Sequence, residues 1–216
     1  MRQEDDFYAT DPVALEALLD HCSLWLMDIL DSCRLGNYNR HYNTYYHGVL
    51  MSAPCIWECA CGNGNLYRIL EQHGYNCIYS DIKDRSTPEY PLKYTGMLNI
   101  DFLKEYKYVY PSKYNVGVIL TNPPYSLATE FIEHALDILP DNGLYIALMN
   151  ITYLAGQKRY NRVYQFGGLR ELYIFKKRVE CWKNGEKPKD KCGSISNYAW
   201  YVFQKGYKGQ PVIYWL

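Results

Sequence analysis

Val116-Gly117-Val118-Ile119-Leu120 runs directly into Thr121-Asn122-Pro123-Pro124-Tyr125. The first five residues are aliphatic and mostly β-branched, the pattern of a short buried strand. Two successive prolines can continue neither a strand nor a helix, so the chain must leave the sheet there as a stiff, extended loop. Ser126 fits the N-cap of a helix over Leu127 to Leu139, with Pro140 just past its end. The loop has a definite chemistry. An asparagine amide oxygen and a proline carbonyl both accept hydrogen bonds, so Asn122 and Pro123 can grip one amino group by its two hydrogens. Such a grip favours the pyramidal amine, whose lone pair can point at an electrophile. Tyr125, projected by Pro124, is placed to stack on the flat group carrying that amine, a contact worth roughly 1–3 kcal/mol.

Working outward, Cys55-Ile56-Trp57-Glu58 reads as a second buried strand, followed by Cys59-Ala60-Cys61-Gly62-Asn63-Gly64 and a helix from Leu66 to His73, stopped by Gly74. Strand, glycine loop, helix is the nucleotide-binding start of an open parallel sheet. The third glycine of a dinucleotide fingerprint is absent, because Tyr67 stands in its place, and this argues against a dehydrogenase. Cys59 and Cys61 read as small residues packing under the loop. Asn76 to Ile82 is the next strand, with Asp81 at its carboxyl end, able to accept from ribose hydroxyls or simply to cap a turn. Lys83 to Met97 reads as a loop, Asn99-Ile100-Asp101-Phe102-Leu103 follows, and Gly143 to Met149 supplies a fifth strand. Strands alternating with helices predict an α/β, doubly wound, mostly parallel sheet.

Asn122-Pro123-Pro124-Tyr125 resembles the catalytic motif of the S-adenosylmethionine-dependent amino-group methyltransferases, most often the N6-adenine DNA methyltransferases. Glu58-x-x-x-Gly62-x-Gly64 resembles their first motif. Asp101 and Phe102 resemble their third, where the acid accepts from the cofactor's adenine amino group and the ring packs on it. Phe7-Tyr8-Ala9-Thr10 resembles the segment that touches the cofactor's methionine end, although Asp11 stands where the family often has proline. The resemblance implies a Rossmann-like methyltransferase fold with S-adenosylmethionine as cofactor. It implies catalytic roles for Asn122, Pro123, Pro124 and Tyr125, and cofactor contacts from Tyr8, Thr10, Glu58, Gly62, Gly64, Asp81, Asp101 and Phe102. The implied reaction is methylation of adenine N6 in DNA. RNA adenine and a protein glutamine amide are the alternative acceptors, and a protein that senses the cofactor or only binds nucleic acid is the non-enzymatic alternative.

Thr10 or Asp11 can cap, and Pro12 begin, a helix predicted from Val13 to about Leu30. Ser32 to Ser52, rich in Tyr, Asn, Arg and His, reads as a loop, either a nucleic-acid contact or a tyrosine-rich surface. Tyr198 to Gly206 and Pro211 to Trp215 read as two strands joined by a Gly-rich turn, and the resemblance implies that they close the sheet as an antiparallel terminal hairpin. The first of them also resembles the terminal segment of small phage-type adenine methyltransferases. All 216 residues are expected to form a single domain.

Net charge is zero but unevenly spread: residues 1–150 carry ten Lys+Arg against nineteen Asp+Glu, and 151–216 carry thirteen against four. Much of the excess lies in 157–191, read as a basic insertion that either contacts nucleic acid through Lys158, Arg159, Arg162, Lys176, Lys177 and Arg178 or is a solvated basic face. Eight cysteines with no apolar run of membrane-spanning length and no leader suggest a reduced, cytoplasmic, soluble protein. No metal site is predicted.

Overall fold

The structure is a computed structural model that describes residues 8–35, 45–46, 49–50, 53–86, 96–105, 113–183 and 197–216. His41, His47 and most of the tyrosine-rich stretch, together with Lys187, Lys189 and Lys191, lie outside the described residues. In chain order the elements are β1 (Tyr8–Thr10), α1 (Val13–His21), α2 (Leu24–Ser32), β2 (Tyr45–Tyr46), β3 (Val49–Leu50), β4 (Cys55–Glu58), α3 (Asn65–Gln72), β5 (Cys77–Asp81) and β6 (Gly96–Leu98). These are followed by β7 (Val116–Thr121), α4 (Ala128–Ile138), β8 (Leu144–Asn150), α5 (Gln157–Arg162), β9 (Leu169–Ile174), β10 (Cys181–Lys183), β11 (Tyr198–Gln204) and β12 (Val212–Trp215).

Eight strands form one sheet in the order β12-β9-β11-β8-β7-β4-β5-β6. From β4 the chain builds outward through β5 and β6, then returns to add β7 and β8 on the other side, all in parallel. The reversal puts a crevice between the carboxyl ends of β4 and β7, the place where open α/β sheets bind ligands. The glycine loop and the Asn-Pro-Pro-Tyr loop leave the sheet on either side of it.

Period-two alternation divides the strand side chains between two cores. Ile56, Val118, Leu120, Ile146 and Trp200 face α1, α2 and α3; Trp57, Ile119, Tyr145, Met149 and Tyr201 lie in the opposite cluster, against Phe131, Ile132 and Ala135 of α4. Trp200 also ties α1 to the sheet by donating from Nε1 to the Ala14 carbonyl at 2.8 Å.

Several expectations need correction. The predicted helix from Val13 to Leu30 is two helices, because Ser23 breaks it: its hydroxyl caps α2 by accepting from the Leu26 N–H at 3.1 Å and donates to buried Glu171 at 2.8 Å. Ser126 is not the cap of α4; it lies in a short 3-10 turn over Tyr125–Leu127, and Leu127 holds the N-cap position. The expected loops contain strands: β2 pairs with β3, and β6 extends the sheet beside β5.

The largest difference is at the far edge. β11 and β12 are not a hairpin, since β9 lies between them, antiparallel to β11 and parallel to β12. The antiparallel character predicted for the end of the chain is therefore present, but in the β9–β11 and β11–β8 pairs. The middle of the segment read as a basic insertion is thus a strand of the central sheet. Among the described residues, no helix is long and apolar enough to cross a membrane.

Candidate active site

A cavity of about 220 Å³ opens at the crevice between β4 and β7. The sequence places Tyr8, Thr10, Glu58, Gly62, Asp81, Asp101, Phe102, Asn122, Pro123, Pro124 and Tyr125 at this site, and every one of them lines the cavity. Gly64 does not: with φ of +83° it holds the N-cap of α3, a left-handed position that suits glycine, and its N–H closes the loop onto the Cys61 carbonyl at 2.7 Å.

Asp81 organises the glycine loop. Its Oδ2 accepts from the Gly62 N–H at 2.8 Å and its Oδ1 from the Lys83 N–H at 2.9 Å, so the end of β5 and the turn after β4 are bound together. A carboxylate oxygen has two lone pairs, and each of these keeps capacity for another donor. Glu58, at the end of β4, is 2% exposed and its Oε2 has no partner among the described residues. Burial pushes its carboxyl well above the usual carboxylate range, and the Tyr67 N–H opposes that only in part. Phe102 packs on Trp57, Phe131 and His134 with ring centres 5.3, 4.8 and 4.9 Å away, which fixes the apolar wall. Next to it, Asp101 accepts from the Leu103 N–H at 3.2 Å and pairs with Lys104 at 3.0 Å.

The Asn-Pro-Pro-Tyr loop is held from two sides. Asn122 Nδ2 donates to the Tyr8 carbonyl at 3.1 Å and to Thr10 Oγ1 at 2.9 Å, whereas its Oδ1 is buried and, among the described residues, unpartnered. The Pro124 carbonyl accepts from the Leu127 N–H at 2.9 Å. Tyr125 lies beside Tyr8 and Tyr198, its ring stacked at 5.8 and 5.9 Å from theirs, and its hydroxyl reaches Cys181 Sγ at 3.8 Å. The loop's aromatic residue thus belongs to a three-ring ladder.

Two contributors were not legible in the sequence. Asn65, the first residue of α3, donates to the Thr10 carbonyl at 2.8 Å; its position directly after the glycine loop was the available signal. Cys181 meets the loop through β10, which pairs with β1, and no local pattern marks it.

The predicted nucleic-acid residues divide. Lys158, Lys176, Lys177 and Arg178 are exposed. Arg162 is committed elsewhere: it pairs with Glu130 at 2.8 Å and with Glu133, and these ion pairs bind α5 to α4. Arg159 donates to the Thr152 and Ala155 carbonyls and covers the Tyr153 ring at 4.2 Å.

No protein-family model matches the chain, nor does any curated protein. Solved structures do. A candidate class I S-adenosylmethionine-dependent methyltransferase from Listeria monocytogenes matches with a TM-score of 0.59 and 14% identity over 99% of this chain and 67% of its own. A candidate haemolysin from Lactococcus lactis matches with a TM-score of 0.53 and 11% identity over 76% of this chain and 85% of its own. The type IIG restriction endonuclease BpuSI matches with a TM-score of 0.49 and 16% identity over 71% of this chain, which spans only 22% of the length of that enzyme. The strand order and the Listeria likeness define the architecture: this chain has the class I methyltransferase fold.

Proposed function

We propose that the chain transfers a methyl group from S-adenosylmethionine to the N6 amino group of adenine in DNA. One observation carries the reading: the buried Oδ1 of Asn122 in the cavity wall, which has no partner among the described residues. An acceptor removed from water without a donor costs free energy, and an incoming amine would satisfy it. The Pro123 carbonyl, next in the loop, would take the second amino hydrogen, since the Pro124 carbonyl is already bonded to Leu127.

The rest of the cavity fits the cofactor. Gly62, without a side chain, lets a ligand approach the backbone; Asp81 keeps lone pairs for ribose hydroxyls; Phe102 offers an apolar wall for an adenine ring, with Asp101 beside it for the exocyclic amine. Glu58 Oε2 is a second buried acceptor without a donor among the described residues, suited to a cationic group. When bound, S-adenosylmethionine supplies an electrophilic methyl on a sulfonium centre that leaves as a neutral thioether. Asn122 and Pro123 then have one task, to turn the amine's lone pair toward that carbon. Methylation of the amine so held would release its proton to solvent, so Asn122 and Pro123 need supply no base beforehand.

DNA is favoured by the tetrapeptide and by the position of three exposed lysines. β7, β8 and β9 run parallel, so the residues after their carboxyl ends share one rim. Lys158 follows β8, and Lys176 and Lys177 follow β9, on the same rim as Asn122. A base drawn out of a strand gripped there could reach the cavity.

The test is transfer of labelled methyl to unmethylated genomic DNA, total RNA and a protein extract. Label on DNA adenine, falling about 100- to 1,000-fold in Asn122→Ala, is the expected result. Label confined to RNA or protein moves the acceptor, and cofactor binding without transfer favours the sensor.

A further inference from the structure

The group that fixes the Asn122 amide lies outside its own loop. Thr10 is 3% exposed in β1 and sits directly across the β1–β10 pair from Cys181. A primary amide has two N–H bonds, and here they meet the Tyr8 carbonyl and Thr10 Oγ1, with Cys181 Sγ a more distant neighbour of the same nitrogen at 4.0 Å. A backbone carbonyl cannot donate, so turning the amide over would set oxygen against oxygen. The pair therefore dictates which end of Asn122 meets the cavity. Thr10 is free to accept because its own hydroxyl interacts with Cys181, and the same sulfur receives the hydroxyls of Tyr125 and Tyr198.

We propose that Thr10 is a positioning residue that presents the Asn122 oxygen to the acceptor amine, and that Cys181, as a neutral thiol, anchors the Thr10 and Tyr125 hydroxyls. This rests on the reaction proposed above, and differs from the cofactor contact that the family resemblance implies for Thr10. Burial lifts the Cys181 thiol to about 11, so it stays protonated across the range in which the protein would work.

The experiment compares Thr10→Val, which keeps shape and loses the acceptor, with Thr10→Ser, which keeps it. The first readout needs no turnover: hydrogen exchange of the Asn122 side-chain amide by NMR, assigned through its absence in Asn122→Asp. Protection in the parent and in Thr10→Ser, lost in Thr10→Val, is expected. In the second, Thr10→Val lowers kcat by up to about 100-fold, with cofactor affinity unchanged, and Thr10→Ser restores it. Equal amide protection in Thr10→Val overturns the positioning role, as does equal kcat. Parallel loss of cofactor affinity assigns Thr10 to the cofactor instead. If the parent protein methylates no acceptor, the reaction fails together with the catalytic consequence, while amide exchange still decides whether Thr10 holds Asn122.

Discussion

Asn122 is bonded on its nitrogen side and bare on its oxygen side, and Glu58 shows the same economy with a charge at stake. A carboxyl buried without a full set of donors holds its proton longer than it would in water. In the unliganded protein the folded state therefore binds more protons than the unfolded chain, from the ordinary value of 4.5 up to the raised one. The sign is fixed by that difference: Glu58 makes the apo protein lose stability as pH rises through this window. Glu58→Gln should raise the apo melting temperature at neutral pH and flatten its pH dependence, while weakening cofactor binding; thermal scans across pH, with and without cofactor, check both halves. At this scale the sequence exposed what is chemically local. Asn122, Gly62 and Asp81 could be read because their roles follow from residue type and spacing. Cys181 could not, since its partners stand at positions 10, 122, 125 and 198 and meet it only through the fold.

Among the elements, α2 and β9 depend on each other across most of the chain. Ser23 receives the Leu26 N–H and gives its hydroxyl to Glu171, and Tyr173 gives its own hydroxyl to the other oxygen of that carboxylate at 2.6 Å. Ser23→Ala removes a cap and one of the partners of a buried carboxylate, and should cost about 1–3 kcal/mol, measured by denaturant unfolding at neutral pH. The same network explains why neither element was legible. Apolar residues continue at helical spacing through Cys22 and Trp25, so periodicity alone runs the two helices together. β9 reads Leu169-Arg170-Glu171-Leu172-Tyr173-Ile174, and two adjacent charges hide a strand. Inside the protein those charges are matched, Glu171 as above and Arg170 by Gln204 at 2.7 Å and by the Trp25 ring at 3.6 Å. β4, β5, β7 and β8 lack buried charge before their last residues and were plain from the sequence.

Over the whole molecule, charge follows the chain, with the acidic excess in the first 150 residues and the basic excess after them. The structure narrows which cations can serve a polyanion. If Lys158, Lys176 and Lys177 each neutralise a phosphate, log K should fall with log salt at a slope of about −2.7. Replacing any of the three by alanine should bring the slope about 0.9 closer to zero, whereas Arg162→Ala, which breaks the pairs to Glu130 and Glu133, should leave it unchanged and loosen α5. Fluorescence anisotropy over a salt series with one DNA duplex distinguishes the two.

The strand order also sets a timetable for synthesis. A ribosome delivers β8 and β9 before β11 exists, yet β11 must lie between them. Until Gln204 has emerged, one edge of β8 has no neighbour, and its Leu144-Tyr145-Ile146-Ala147-Leu148-Met149 run offers open backbone to any passing strand. β10 likewise arrives more than 170 residues after β1, its partner over the cavity. The nascent chain thus carries a complete Asn-Pro-Pro-Tyr sequence long before it can hold that loop in place, and the arrival of β10 and β11 turns it into a site.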